Sequence, residues 1–472
     1  MSVLLGLDIG TTKISGVAVA TSGRPTLSVE RPNDAAVVAA EANRSEQDAG
    51  RIRSRCIDVL REMAASAGDV VAIGVTGQMH GMLCVDAINR PLGHLITWQD
   101  ARCLEATGAD GATSLDEMHS RVPPELWEVC GCTPASGYMG STLFWLSRHG
   151  QLPPKTARVC FITDWVAASL ADRMPVTDPG NACGAGLFDL VASRWHPEIV
   201  QALGLPANLL PEVRPSAEMI GHLTASAARE IGLPEGIPIA NAIGDSQAAF
   251  LGSVANPDRL ILVNVGTGGQ ISWVLPAFGR LPGMETRSLP PGRFVVMGAS
   301  LCGGRAVAWL KDVVREWSQH FGGEQDAATI YARLHELALQ APADCGGLHI
   351  RPTLSGTRAD PACRGSVAGI SLENFTLGNL ARALLIGVTD ELRDFHERAA
   401  AASTAGHESI VASGNAVRKN PLLRSIIAER FARPVLVPRH REEAACGAAF
   451  LAGVAAGVWK DMTEASARIE YE

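Results

Sequence analysis

The feature that most constrains the fold of this chain is an internal repeat of one short supersecondary unit. Residues 4–11, LLGLDIGT, align with residues 260–267, LILVNVGT, and a second apolar run follows each of them. This pattern predicts strand, Gly–Thr turn and strand in both places. Backbone N–H groups in such a turn can converge on an anion, and the threonine hydroxyl adds a donor. The repeat therefore predicts two related domains with a polyphosphate held between them.

Length, charge and composition bound the class of protein. A chain of 472 residues is too long for one core, so we expect two domains, 1–244 and 245–472, that meet at a hinge. The net charge of −8 argues against a nucleic-acid partner. The longest small-apolar stretch, 444–459, is shorter than the roughly 20 residues of a membrane span, and we interpret it as a closely packed buried helix.

Cysteine usage and the N-terminus bear on localisation. The eleven cysteines lack metal-ligand spacing, which indicates reduced thiols. The N-terminus shows no signal-peptide pattern. We therefore expect a cytoplasmic protein without a membrane partner, and the sequence leaves a homodimer open.

Local patterns predict an α/β protein with polar residues at strand ends. Residues 45–48, SEQD, resemble a capping box, and apolar residues behind them share one helical face. The apolar run 70–75 predicts a buried strand. It leads into TGQMHG at 76–81, at the strand end where open α/β sheets bind ligands. In the second half we expect a strand around 410–412, a Gly-Asn-Ala turn and a helix from about Pro421.

Ordered motifs over essentially the whole chain resemble the FGGY carbohydrate kinases of the actin/hexokinase-like ATPase superfamily. They are DIGTTK, TGQMHG, TWQDARC, the stretch 164–195, GDSQAAF, NVGTGGQ, the stretch 354–371 and SGNAVRKNPLL. P-loop and zinc-protease signatures are absent from the sequence. The resemblance implies two RNase-H-like domains with a ligand cleft between them. It also implies ATP and Mg²⁺ as cofactors and phosphorylation of a ketose at a terminal hydroxyl.

Within the family, the TWQDARC and TLFWL blocks are most similar to sedoheptulokinases, and xylulokinases are next nearest. Thr142 stands where most members carry lysine, Thr357 where most carry glutamate, and Ile386 where an acidic or amide residue is usual. These departures bear on the sugar more than on the reaction class. Sedoheptulose is therefore the first expected substrate and D-xylulose the alternative. An actin/Hsp70-like ATPase switch and a sugar sensor without catalysis are alternatives of other classes.

The resemblance also implies roles for individual residues. Asp245 would be the base that orients and deprotonates the sugar hydroxyl, although Gly-Asp-Ser is also good helix-capping chemistry. Asp8 would hold Mg²⁺ through water. The sugar would contact Asp245 together with Gln78, Met79, His80, Trp98, Asp100 and Arg102. ATP would contact Gly10, Thr11, Thr12, Lys13, Gly266, Thr267, Gly268, Gly303, Gly304, Gly414, Asn415, Ala416 and Asn420.

Overall fold

This computed structural model describes residues 1–39, 41–107, 111–323, 325–357, 360, 362–400 and 406–472. The strands are β1 (Ser2–Ile9), β2 (Lys13–Ala20), β3 (Pro25–Pro32), β4 (Ala36–Val37), β5 (Glu46–Gln47), β6 (Asp69–Gly77), β7 (Leu83–Val85), β8 (Leu95–Ile96), β9 (Arg158–Cys160), β10 (Val176–Thr177), β11 (Phe188–Asp189), β12 (Arg194–Trp195), β13 (Glu212–Val213), β14 (Met219–His222), β15 (Pro238–Ala240), β16 (Ile243–Gly244), β17 (Leu260–Val265), β18 (Gly269–Leu275), β19 (Glu285–Leu289), β20 (Arg293–Ser300), β21 (His349–Arg351), β22 (Ser366–Ala368), β23 (Ser409–Ser413) and β24 (Val435–Leu436).

The α-helices are α1 (Ala49–Ala64), α2 (Ser114–Arg121), α3 (Met139–Arg148), α4 (Ile162–Leu170), α5 (Pro179–Ala182), α6 (Pro197–Ala202), α7 (Ala225–Ile231), α8 (Asp245–Ser253), α9 (Gly304–His320), α10 (Ala327–Gln340), α11 (Leu377–Ala400), α12 (Asn415–Lys419), α13 (Pro421–Phe431), α14 (Glu443–Ala455) and α15 (Met462–Ser466). No helix within the described residues is both long enough and apolar enough to cross a membrane.

Two mixed sheets carry the predicted repeat. The first has the strand order β14-β15-β6-β1-β2-β3 with β16 beside β6, and the second has the order β19-β20-β18-β17-β23-β24. In the first sheet, β1 is antiparallel to β2 and parallel to β6. In the second, β17 is antiparallel to β18 and parallel to β23. The repeat is therefore confirmed, and each Gly–Thr turn joins the two strands of a hairpin. The predicted strands around 70–75 and 410–412 are confirmed as β6 and β23.

Helix α1 shows one wrong prediction and one confirmed prediction. The prediction of a capping box at 45–48 is wrong, because Glu46 and Gln47 form strand β5, which pairs with β4 and β8. The helix instead begins after Asp48, whose carboxylate accepts the backbone N–H of Arg51 at 2.9 Å. The buried face of the helix includes the predicted apolar residues Ile52, Cys56, Leu60 and Met63.

Helix α14 lies between the two sheets, as expected for a closely packed buried helix. It packs against α8, β1 and β6. Its surroundings form a hydrophobic cluster that joins Leu4 of the first sheet to Leu262 and Val411 of the second. The last strand of the first sheet ends at Gly244, and the first strand of the second sheet begins at Leu260. The domain boundary at 244/245 stays a prediction, because one hydrophobic cluster joins the two sheets.

Two glycines let α8 and α14 cross at very short range. A methyl group on Gly447 would overlap the carbonyl oxygen of Ala248, and one on Gly252 would overlap the carbonyl oxygen of Glu443. Backbone cannot move aside as a flexible side chain can. Gly447→Ala should therefore lower the free energy of unfolding by about 3 kcal/mol. Denaturant unfolding tests this against Gly279→Ala, where the added methyl group meets open space. Equal stability of the two variants would contradict the packing role.

Candidate active site

A cavity of about 140 Å³ contains Asp245 and is lined by both halves of the chain. Its walls are Met79, His80, Trp98, Asp245, Ser246, Gln270, Gly283, Glu285, Arg287, Met297 and Ala299. The structure thus brings Asp245 together with three of the predicted sugar contacts. Met79 and His80 follow the end of β6, and Trp98 follows β8. The cavity offers an acid, a flat aromatic wall and several hydrogen-bonding groups, which is the chemistry that a polyhydroxyl ligand needs.

Asp245 is the first residue of α8, and its side chain does not cap the helix. The N-cap is Gly244, without a side-chain capping bond. The pKa of Asp245 is raised to about 6, because burial outweighs the lowering effects of a hydrogen bond from the Ser246 backbone and of the positive charge of Arg287. The carboxylate is therefore mostly ionised at neutral pH, and it is more basic than a free aspartate. This environment suits a general base and does not support the capping alternative.

Asp8 lies at the end of β1, in a surplus of negative charge. Burial, together with the charges of Asp245 and Glu442, raises its pKa to about 7, and the charge of Lys13 offsets part of this rise. Its Oδ1 atom is buried without a hydrogen-bond partner among the described residues. A divalent cation would supply the missing compensation, so the site fits Mg²⁺. None of the described residues form a cluster of three or more His, Cys, Asp or Glu side chains suited to a metal. Most Mg²⁺ ligands would then be water and phosphate oxygens, as is usual for this ion.

Lys13 is already engaged by carboxylates. Its Nζ lies 2.7 Å from Glu442 and 3.3 Å from Glu30. Burial lowers the pKa of Lys13, but the hydrogen bond and charge of Glu442 and the neighbouring Glu30 outweigh it and raise that pKa. The side chain stays protonated, and a contact with phosphate would require it to exchange partners.

The first Gly–Thr turn is held from behind by side-chain amides. Asn33 Nδ2 donates to the Gly10 carbonyl at 2.8 Å, and the Thr12 carbonyl accepts the backbone N–H of Asn33 at 2.9 Å. Thr11 hydrogen-bonds through its hydroxyl to Gln78, which is buried behind the turn rather than in the cavity wall. The predicted phosphate turn is thus rigidly supported, and Gln78 contacts the turn and not the cavity around Asp245.

Asp100 and Arg102 do not line the cavity. The Arg102 guanidinium donates to both Asp100 oxygens, at 2.7 and 2.9 Å, and to Glu46 at 2.6 Å. Asp100 also accepts the Ser45 backbone N–H at 2.9 Å, and Arg102 lies over the ring of Trp145. Both side chains are buried and used within the fold. We therefore assign this pair a structural role in holding the segment that carries Trp98.

A second cavity of about 810 Å³ lies in the second half and collects most of the predicted nucleotide contacts. Its lining includes seven of them, namely Gly266, Thr267, Gly303, Gly304, Asn415, Ala416 and Asn420. The backbone N–H of Gly304 donates to the Gly266 carbonyl at 2.8 Å, which ties the second Gly–Thr turn to the start of α9. Gly268 and Gly414 are the direct neighbours of lining residues. The volume falls within the range of small-molecule sites.

The chemistry of this second cavity suits a nucleotide. Helix α9 begins at Gly304 against the second Gly–Thr turn, because the N–H groups of Gly304 and Arg305 donate to the carbonyls of Gly266 and Thr267. The positive end of the helix dipole there favours an anion. Gly414, the N-cap of α12, has φ of 91°, a conformation that favours glycine. Leu334, Leu384 and Leu385 supply an apolar wall for a base. Phosphates would thus point toward the turns and the base toward the apolar wall.

The sequence analysis did not predict Glu285 and Arg287, which join the two halves of the chain across the cavity around Asp245. Arg287 is buried and forms an ion pair with Glu285. Tyr138 Oη donates to Glu285 at 3.4 Å, and Arg287 Nη2 donates to Nε2 of His80 at 3.4 Å. His80 Nδ1 lies 2.7 Å from the Gly184 carbonyl, and because a carbonyl only accepts, Nδ1 is the donor in this hydrogen bond. No motif in the sequence around β19 predicts that these two side chains line the cavity.

Thr142, Thr357 and Ile386 depart from the family pattern, and none of them lines the cavity around Asp245. Thr357 and Ile386 line a cavity of about 870 Å³, which shares Gly283 and Ala299 with the cavity around Asp245. Thr142 is buried in α3. Arg358, within the 354–371 motif, lies outside the described residues.

Comparisons with known proteins agree with this geometry. Residues 3–252 match the model for the FGGY family of carbohydrate kinases, N-terminal domain, and residues 276–456 match the C-terminal domain. A glycerol kinase from Bordetella pertussis is 31% identical over 458 residues, covering 90% of this chain and 84% of its own. The human sedoheptulokinase is 27% identical over 487 residues, covering 95% and 97%. A xylulose kinase structure from Rhodospirillum rubrum superposes with a TM-score of 0.87 at 25% identity, covering 100% and 93%.

Proposed function

Because the chain belongs to the FGGY family of carbohydrate kinases, we propose that it transfers the γ-phosphate of ATP to a terminal hydroxyl of a ketose. Sedoheptulose is the preferred substrate, and the product is sedoheptulose 7-phosphate. The observation that carries the proposal is the position of Asp245. Its carboxylate lines a polar cavity to which both halves of the chain contribute, and its charge acts on Asp8 at the end of β1.

Different residues of the site have different roles in phosphoryl transfer. Asp245 accepts a hydrogen bond from the sugar hydroxyl, orients it and takes its proton late in the reaction. His80, Trp98 and the Glu285–Arg287 pair hold the sugar. The turns at Thr11 and Thr267 hold the polyphosphate in line with that hydroxyl. Mg²⁺, held through water by Asp8, would neutralise charge on the phosphates when bound.

The sugar assignment rests on sequence motifs and on comparisons. The likeness to human sedoheptulokinase spans nearly the full length of both chains. Because the glycerol kinase matches at higher identity, the TWQDARC and TLFWL blocks, and not the extent of the match, favour the seven-carbon ketose. The xylulose kinase structure at 25% identity supports D-xylulose as the second candidate. All eleven cysteines are free and ten are buried, which favours a reducing compartment such as the cytoplasm.

A kinetic panel tests the substrate assignment. Initial rates with ATP and Mg²⁺ are measured for sedoheptulose, D-xylulose, glycerol and gluconate. We expect the highest kcat/KM with sedoheptulose and the next highest with D-xylulose. A higher kcat/KM with glycerol or gluconate would contradict the ketose assignment, and an absence of turnover with any sugar or polyol would contradict the proposed function.

The pH dependence of kcat/KM should report the Asp245 base. Only the ionised carboxylate accepts a proton, so kcat/KM should fall as pH drops through about 6, the pKa of Asp245. The positive charge of Arg287 lowers that pKa. Arg287→Met should therefore shift the acidic limb upward by about one pH unit.

The matched control for this shift is Arg280→Met. Arg280 also joins the two halves, by donating to the Trp127 carbonyl at 3.2 Å, but it does not line the cavity. Its pH profile should stay that of the wild type. An unchanged acidic limb in folded Arg287→Met would show that Asp245 is not the titrating base.

A further inference from the structure

A closed ring of hydrogen bonds joins the first phosphate turn to the wall of the sugar cavity. Thr11 Oγ1 donates to Gln78 Oε1 at 3.4 Å, and Gln78 Nε2 donates to Gln47 Oε1 at 2.8 Å. Gln47 Nε2 donates to the Thr11 carbonyl at 2.8 Å and closes the ring. Trp98 Nε1 donates to the Thr11 hydroxyl at 3.0 Å. Thr11 of the phosphate turn is therefore hydrogen-bonded to Trp98 in the cavity wall, and also to the side-chain amides of Gln47 and Gln78.

Burial makes this ring stiff. Gln47 is 4% exposed and Gln78 is 5% exposed, whereas Trp98, which lines the cavity, is 45% exposed. Each amide uses its oxygen as acceptor and its nitrogen as donor, so neither can rotate without breaking both bonds. A buried amide left without its hydrogen-bond partner is unfavourable, which keeps the ring closed. The ring therefore fixes Thr11 between the Trp98 indole and two buried amides.

Gln47 and Trp98 are carried by the same small sheet. Strand β5 contains Gln47, and it pairs with β8 through Gln47 and Leu95. Trp98 comes two residues after β8. The segments before Gln47 and Trp98 are also joined. The backbone N–H of Thr97 donates to the Ser45 carbonyl at 2.9 Å, and the Thr97 hydroxyl donates to the Ser45 hydroxyl at 2.7 Å. The small sheet therefore presents the aromatic wall and the ring-closing amide as one unit.

We propose that Gln47 is a positioning residue that couples sugar binding to nucleotide binding. A sugar that rests against Trp98 fixes the Trp98–Thr11 bond, and the ring then holds the turn in the geometry that accepts phosphate. By linkage, phosphate in the turn fixes Trp98 for the sugar to the same extent. This inference rests on the proposed function, because it requires the sugar at Trp98 and the polyphosphate at Thr11.

The test measures coupling rather than activity. The dissociation constant of Mg²⁺·AMP-PNP is determined by titration with and without saturating sedoheptulose, or D-xylulose if the wild type prefers it. In the wild type, the sugar should tighten AMP-PNP binding at least about fivefold. In Gln47→Leu this ratio should fall below about twofold, with the affinity in the absence of sugar changed much less.

Two further variants keep the test decisive. Gln47→Glu retains the acceptor for Gln78 but loses the donor to Thr11, so we expect an intermediate ratio even if Gln47→Leu does not fold. Asn374→Leu is the matched control, since Asn374 is a buried amide that bridges the Gly346 and Gly369 carbonyls far from the ring. It should lose stability yet keep the wild-type ratio.

The outcomes separate this inference from the proposed function. A wild-type ratio in folded Gln47→Leu and Gln47→Glu would overturn the coupling role. So would a wild-type enzyme that phosphorylates a ketose but shows no effect of sugar on AMP-PNP affinity. A wild type that phosphorylates no ketose would instead overturn the proposed function, and the inference with it.

Discussion

Asp245→Asn should lower kcat by about 100-fold or more, the usual contribution of a general base. Asparagine keeps the size of the side chain and most of its hydrogen bonding, but it cannot take the proton from the sugar hydroxyl. AMP-PNP affinity should change little, because Asp245 does not line the 810 Å³ cavity of the second half. Melting temperature should also change little, since Gly244 and not Asp245 is the N-cap of α8.

The control for this variant is a true helix cap. Asp326 caps α10 by accepting the backbone N–H groups of Ala328 and Thr329. Asp326→Ala should cost about 1 kcal/mol of stability and leave kcat per folded molecule unchanged. Melting temperature, AMP-PNP affinity and kcat are measured on the same preparations. Near-normal kcat in folded Asp245→Asn would show that the Asp245 carboxylate is not the general base.

Asp8→Asn should raise the Mg²⁺ concentration required for half-maximal activity by about 100-fold. The physical reason is the buried Oδ1 atom, which has no hydrogen-bond partner in the described part of the chain and lies in the field of the Asp245 and Glu442 charges. Asparagine removes the negative charge that would hold the hydrated cation. Activity titrated against Mg²⁺ measures the shift, and Asp69→Asn on the neighbouring strand β6 is the control.

Stability offers a second measurement of the same site. Because the pKa of Asp8 is raised to about 7 in the fold, the wild type without Mg²⁺ should lose stability as pH rises from about 4 through 7. Asp8→Asn should lose less over that range. Added Mg²⁺·ADP should raise the melting temperature of the wild type more than that of the variant. Identical Mg²⁺ requirements and identical pH–stability curves would contradict a cation site at Asp8.

Local sequence patterns predicted those parts of the molecule that local physics determines. The matched apolar runs before Gly10 and Gly266 predicted two hairpins, because two runs of β-forming residues joined by a Gly–Thr turn leave few other conformations. The continuous apolar run of β6 predicted a buried strand that delivers Met79 and His80 to a ligand-binding edge. The small residues of α14 predicted a helix packed at close range.

Features that depend on tertiary placement were not predictable. Glu285 and Arg287 reach the sugar cavity because β19 pairs with β20 and faces the other half of the chain, which no local pattern encodes. Asp100 and Arg102 neighbour Trp98 in sequence, but their side chains satisfy each other inside the fold. Gln47 was read as part of a capping box, because its pairing with Leu95 joins segments far apart in the chain.

The most direct measurement of the central claim follows all phosphorus species together by NMR, with ATP and Mg²⁺ and with or without sedoheptulose and D-xylulose. The proposed mechanism predicts one sugar phosphate for each ADP formed, with phosphate on a terminal carbon and little ATP consumed without sugar. Release of inorganic phosphate at the same rate with and without ketose would contradict it and indicate an ATPase switch instead.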